Sequence, residues 1–112
     1  MKRKNPKPEP ADSDGCARYL KVVADPDRLA IIERLQRGPE HVSAIAKALK
    51  KNIANVSHHL KILREAGLVS TSKQGKYITY SLTSTFFPAA AQPGAACCLD
   101  LGCCQLNLRP EP

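Results

Sequence analysis

An α+β fold, mainly α, is predicted from three observations. Apolar residues recur at steps of three and four over four stretches between Asp14 and Gly67, the spacing of helix faces. From Leu68 to Leu82 the residues turn β-branched and aromatic around Gln74-Gly75, as in a strand pair with its turn. The chain is 112 residues long with a Pro-rich start and a Pro-bearing tail, which leaves room for one core rather than two.

Residues 1–13 are polar, interrupted by proline and without periodicity, so they read as a disordered basic arm. Its basic residues are followed by no apolar run; neither a signal peptide nor a membrane anchor is expected, and the location should be cytoplasmic. A first helix spans Asp14 to Ala24, with Ala17, Leu20, Val23 and Ala24 on one face, and ends at Asp25-Pro26. Asp25 then caps a second helix, with Pro26 at its first position and Asp27 in the first turn, where acids suit the helix dipole. That helix runs to Arg37, stops at Gly38 and buries Leu29, Ile32 and Leu35 with Ile31 beside them, leaving Arg28, Glu33 and Arg34 outward.

Val42, Ile45, Ala46 and Leu49 mark a short third helix, followed by Lys50-Lys51 and by Asn52 as the N-cap of a fourth. The fourth helix, Ile53 to about Ala66, buries Val56, Leu60 and Leu63. Ile53, Ala54, Asn55, Ser57, His58 and Lys61 lie on its other side, and Gly67 stops it. Strands over residues 68–73 and 76–82 form a hairpin with lysines beside its tip. Ser84 to Ala91 is expected as a short helix despite Pro88, which is tolerable only in a first turn, before Gln92-Pro93-Gly94 breaks the chain.

A short helix, a tight connection and a second helix with small polar residues on its exposed face form a helix-turn-helix. The basic hairpin directly after it makes the architecture a winged helix-turn-helix with a two-stranded wing. The domain organisation is an arm over 1–13, a DNA-binding unit over 14–82 and a dimerisation and cysteine-rich tail over 83–112. The net charge is +7, and Lys47 to Lys76 holds seven basic residues against one acid, Glu65. A positive field confined to one stretch suits a polyanion, because each phosphate neutralised releases counterions. Lys50, Lys51, Lys61, Lys73 and Lys76 are candidate phosphate contacts; Asn52, Asn55, Ser57 and His58 complete the candidate DNA-binding set, the last three by hydrogen bonds to base edges or phosphates. His58 and His59 point about 100° apart on a helix, so they are expected to face DNA or to pack rather than share a metal.

Asn55-Val-Ser-His-His-Leu-Lys-Ile-Leu-Arg-Glu-Ala-Gly-Leu-Val69 resembles the recognition-helix signature of ArsR/SmtB-type repressors, and Asp25-Pro26-Asp27-Arg28-Leu29 is similar to their second-helix opening. The resemblance covers about residues 16–82. It implies a homodimer on a pseudo-palindromic double-stranded DNA operator, with the first and last helices at the interface and half-sites about one helical turn apart. It also implies a metal sensor. One family sensor is a Cys-x-Cys motif on the third helix, and this third helix holds no cysteine; another uses acids and histidines of the final helix, and Thr83 to Gly94 has none.

Sulfur remains. Five cysteines are a poor disulfide framework, but Cys97, Cys98, Cys103 and Cys104 crowd four soft ligands into eight residues, a thiolate cluster suited to a reducing compartment. Such sites select thiophilic ions, As(III) foremost here, with Cu(I), Cd(II) or Zn(II) as the other inducers. Cys16, at the start of the first helix, is a further sulfur that can join them. The loose repeat Cys-Cys-Leu-Asp-Leu and Cys-Cys-Gln-Leu-Asn-Leu suggests a hairpin turning near Asp100-Leu101, opposing Cys98 to Cys103 and Cys97 to Cys104.

The sequence thus reads as a repressor that leaves its operator when a thiophilic ion binds the tail. A thiol-redox or persulfide-responsive repressor of the same fold is the first alternative. A metal-sequestering thiol protein is the second, and specific, salt-dependent duplex binding would exclude it. No paired carboxylates, Ser/His/Asp arrangement or Gly-rich phosphate loop appears, so an enzyme is not expected.

Overall fold

The computed structural model describes residues 13–88 and 97–108, and of Cys97 the backbone only. Four helices come first: α1 (Ser13–Val23), α2 (Pro26–Leu35), α3 (Val42–Leu49) and α4 (Ile53–Glu65). A two-residue strand, β1 (Glu40–His41), precedes α3, and β2 (Val69–Gln74) and β3 (Tyr77–Leu82) follow α4. The tail adds a separate hairpin, β4 (Cys97–Asp100) and β5 (Gln105–Leu108). This is the winged helix-turn-helix that the periodicity predicts; its two-stranded wing, β2 and β3, is joined by β1 into a sheet ordered β1-β3-β2.

The helix boundaries follow from capping. Asp25 accepts the backbone N–H groups of Asp27 and Arg28 at 2.8 and 3.1 Å, and Pro26 fills the first position, where no N–H is needed. Asn52 does the same for α4, taking the N–H groups of Ala54 and Asn55 at 2.7 and 3.2 Å. Helix α4 ends in a Schellman arrangement: Leu68 N–H donates to Leu63 C=O and Gly67 N–H to Arg64 C=O, both at 2.9 Å. Gly67 sits at φ +85, where a side chain would be strained.

The α4 residues Val56, Leu60 and Leu63 are buried, and they share a core with Ile31, Ile32 and Leu35 of α2 and Ile45 and Ala46 of α3. Two arginines expected to face outward are instead half-buried and engaged. Arg34 makes a bidentate pair with Glu40, at 2.8 and 2.7 Å, fastening β1 to α2. Arg28 donates to the Val22 carbonyl and to His59.

Beyond the wing, the expected helix is reduced to one turn. Thr83 hooks onto the end of α4, its hydroxyl donating to Gly67 C=O at 2.8 Å and its N–H to Leu68 C=O at 3.1 Å. Phe87 N–H then closes a single turn on Thr83 C=O before Pro88, which cannot continue the donor ladder. The rest of that expected helix, Ala89 to Ala91, lies outside the described residues, as does the arm before Ser13.

The tail hairpin forms, but with a different register from the one the repeat suggests. Cys97 pairs with Leu108, Cys98 with Asn107, Leu99 with Leu106 and Asp100 with Gln105. The turn is therefore Leu101 to Cys104, two residues later than expected, and Cys103 and Cys104 lie in it. Asp100 drives the shift by accepting the N–H of Gly102 at 2.9 Å, with Gly102 at φ +87, a turn that the aspartate side chain and glycine make together. Leu99 and Leu101, alternate residues and so on one side, are both fully buried in the same core as Phe86 and Phe87.

Candidate nucleic-acid interface and sulfur cluster

The exposed face of α4 is set by helix geometry. Once Val56, Leu60 and Leu63 turn inward, Ile53, Ala54, Asn55, Ser57, His58 and Lys61 are left exposed. Lys50, Lys51 and Asn52 before α4, and Lys73 and Lys76 at the wing, are exposed as well. The Asn52 side-chain oxygen is occupied as the cap, so only its amide N–H groups remain for another partner.

The turn between α3 and α4 carries a local cost. Lys50 adopts a left-handed conformation at φ 57, ψ 45, while Lys51 N–H reaches back to Ala46 C=O at 2.9 Å. Glycine is the usual residue there; a lysine stores about 1–2 kcal/mol of strain and keeps a cation beside the start of α4.

The adjacent histidines part company, as neighbours on a helix must. His58 is exposed. His59 is mostly buried, with Nδ1 3.1 Å from the Arg28 guanidinium and Nε2 3.5 Å from Asp27. Arg28 can only donate, so Nδ1 accepts and the ring proton sits on Nε2, toward Asp27. Lys51 meets the other Asp27 oxygen at 3.0 Å, so this network ties the start of α2 to the turn before α4 and to α4 itself. Asp25, Asp27 and His59 bring ligand atoms within 4.8 Å of one another, but Lys51 and Arg28 already neutralise them, and a metal ion there would meet two cations.

The Arg28 N–H bond lowers the Asp25 pKa below its ordinary 3.8; the Asp27 N–H and the Arg28 charge assist, against the opposing effect of burial. A depressed folded pKa gives stability that is present above 3.8 and is lost as pH falls through the folded value. Urea midpoints should therefore fall below about pH 3.8 in wild type and change less over that range in Asp25→Asn, which keeps the cap without its charge. Asp25→Ala should cost about 1 kcal/mol at neutral pH.

The sulfur group draws on both ends of the described chain, two sulfurs from the tail and one from α1. Cys16 on α1 is joined to Cys103 in the tail turn by a disulfide, and the Cys104 sulfur stands 3.7 Å from Cys16 and 3.9 Å from Cys103. The three sulfurs form one group within 4.8 Å. Cys98, half-buried on β4, is free and not part of it; the Cys97 side chain lies outside the described residues. The expectation of a purely thiolate tail is corrected in one respect. The turn shift brings Cys103 against the first helix, so the described sulfurs include a disulfide with a third thiol beside it.

With this geometry in hand, the relatives can be placed. The family described as bacterial regulatory protein, arsR family, matches residues 25–71. The transcriptional repressor SdpR of Bacillus subtilis is 35% identical over 66 residues, which cover 59% of this chain and 73% of that protein. The chain belongs to the ArsR family. Another relative is the HTH-type transcriptional regulator NmtR of Mycobacterium tuberculosis, 39% identical over 79 residues, 68% of this chain. A third is the arsenical resistance operon repressor of Escherichia coli, 40% identical over 73 residues, 64% of this chain. This ArsR-family chain spans 66% of the length of NmtR and 62% of that of the arsenical repressor. Among solved structures, it resembles the homodimeric winged helix-turn-helix DNA-binding domain of Mb0332 from Mycobacterium bovis. That match has a TM-score of 0.58 and 35% identity, covering 62% of this chain and 64% of that one.

The family match stops at residue 71, short of the tail. Cys16 and the tail turn meet across 87 residues of sequence, a contact no local pattern could reveal.

Proposed function

We propose that the chain is a cytoplasmic, homodimeric transcriptional repressor, not an enzyme, that binds a pseudo-palindromic double-stranded DNA operator. It releases that operator when a thiophilic metal or metalloid binds Cys16, Cys103 and Cys104. The sulfur group carries the reading. Separations of 3.7 and 3.9 Å are within the span of an ion about 2.3 Å from each of two sulfurs. Trivalent arsenic makes three bonds to sulfur and suits three donors without a fourth, so arsenite is the favoured inducer. Zn(II) and Cd(II) would need another ligand, and Cu(I) competes on softness. Cys98, outside the sulfur group, and Cys97 stay candidates for that ligand by sequence alone.

The DNA-binding half rests on the basic, exposed face of α4 and the wing. Lys50, Lys51, Lys61, Lys73 and Lys76 are assigned to phosphates, and Asn55, Ser57 and His58 to base edges or phosphates, with Asn52 holding the helix start. The names of SdpR and of the arsenical repressor, and the homodimeric DNA-binding domain of Mb0332, favour the same reading. No helix among the described residues is long and apolar enough to cross a membrane.

Affinity for a duplex selected from a random pool tests this half. Its logarithm should fall linearly with that of salt concentration, and Lys61→Ala and Lys73→Ala should each reduce the slope by about one. A variant that leaves the slope unchanged loses its assigned role. Arsenite added to the reduced complex should then release the duplex; if it does not, the inducer reading fails.

The Cys16–Cys103 bond favours a second reading, in which oxidation is the signal. A low-molecular-weight disulfide would take two electrons and two protons from the two thiols, leaving as two thiols itself. The two signals exclude each other at one site, since a disulfide removes two of the three donors. Oxidised protein that holds its duplex in arsenite, and reduced protein that releases it, would establish the ion as inducer; release by oxidant alone would establish the redox reading.

A further inference from the structure

The large apolar side chains that stand exposed among the described residues are Ile53, Tyr77 and Ile78, at 52, 55 and 48%. All belong to α4 or the wing, the two elements assigned to DNA. Tyr77 stacks on the His41 ring, centroids 5.1 Å apart, and Ile78 lies across the hairpin from Lys73. Ile53 is different: it opens α4 directly after the cap, and neither core nor helix requires it there. The first turn is held by the Asn52 side chain, and a β-branched residue is a weaker helix former than many polar ones.

Its surroundings name a partner. Ile53, Ser57 and Lys61 follow one another at steps of four on the exposed face, and Ala54 and His58 form the row beside them. Lys50 and Lys51 precede it, and the one acid of α4, Glu65, is at the far end. An apolar tip flanked by lysines, on the end of a recognition helix that enters the major groove, matches a groove edge between two rows of phosphates. The apolar group that a base pair presents in that groove is the C5 methyl of thymine.

We propose that Ile53, with Ala54 beside it, reads a thymine methyl group in each half-site of the operator. This rests on the DNA-binding reading above and goes beyond it, by assigning a base to a residue. Burying one methyl-sized group is worth about fourfold in affinity.

The test begins with a duplex selected from a random pool by the reduced full-length chain. Each thymine is then replaced singly by uracil, which lacks only the methyl group. One position per half-site should weaken binding about fourfold. Ile53→Ala should bind the thymine and uracil duplexes equally at that position, keep any uracil penalty elsewhere, and retain the wild-type salt slope, since no charge is lost. Uracil tolerated at every position overturns the inference, as does a penalty that survives intact in Ile53→Ala. The uracil series uses unaltered protein and so does not depend on the variant folding. If no duplex is enriched at all, the DNA-binding reading falls and this inference with it; enrichment without a methyl effect sinks the inference alone.

Discussion

Cys16→Ser, Cys103→Ser and Cys104→Ser are each expected to abolish release of the duplex by arsenite, while Cys98→Ser leaves release intact. Cys16, Cys103 and Cys104 share one group, and Cys98 is outside it. An ion held by three bonds to sulfur cannot keep its coordination with two. Loss of a mere supporting partner typically weakens metal affinity about 10–100-fold, and loss of a ligand should exceed that. The arsenite concentration for half-release, measured by fluorescence anisotropy of the labelled duplex in reductant, should therefore rise on the order of a hundredfold or more in the three variants. Each should bind duplex like wild type without arsenite, because none lies on α4 or the wing. Cys16→Ser is the decisive one. If it responds normally, the inducer sits on the tail alone and the sulfur group is a structural disulfide; if Cys98→Ser fails, Cys98 is a ligand.

How much of this was legible depends on how local the cause is. The helix starts at Asp25 and Asn52 and the stop at Gly67 are written in single residues whose side chains or backbone freedom make the boundary, so sequence reasoning reaches them. The exposed face of α4 follows from periodicity alone. Strand β1 does not, because two residues, Glu40 and His41, show no period; it exists through the Arg34–Glu40 pair and its register with Thr79 and Tyr80. The outward assignment of Arg28 and Arg34 failed for a related reason. Charge predicts exposure only when no partner waits nearby, and here His59, the Val22 carbonyl and Glu40 do.

The sulfur site was half legible. Cys103 and Cys104 stood out by crowding, but the apparent repeat around them pointed to the wrong turn. Both registers leave Leu99 and Leu101 on one face, the face that is fully buried, so burial does not choose between them; the turn that Asp100 and Gly102 make does. The resulting turn sets Cys103 and Cys104 against Cys16.

Leu99→Ala should lower stability by about 2–5 kcal/mol, the range for truncating a buried leucine whose site cannot fully collapse. For a domain of this size that is a large share of a total near 5–15 kcal/mol, and at about 4–8 °C per kcal/mol it should lower Tm by about 8 °C or more. The measurement belongs in reductant. There the disulfide, which closes a loop long enough to add roughly 4–5 kcal/mol by restricting the unfolded chain, raises neither protein's Tm. A change below about 0.5 kcal/mol, typical of surface substitutions, would mean that the hairpin only drapes over the core. The same variant separates folding from sensing. Asp100 N–H donates to Phe86 C=O at 2.7 Å, and the Tyr19 and Phe86 rings lie 5.2 Å apart, so the hairpin and α1 dock on a common support. Loosening Leu99 should displace the Cys103–Cys104 turn from Cys16 and weaken the arsenite response along with stability, whereas Cys16→Ser in reductant should remove the response and leave Tm nearly unchanged. A Leu99→Ala protein that melts early yet responds to arsenite like wild type would show that the ion itself, and not the buried leucines, gathers the three sulfurs.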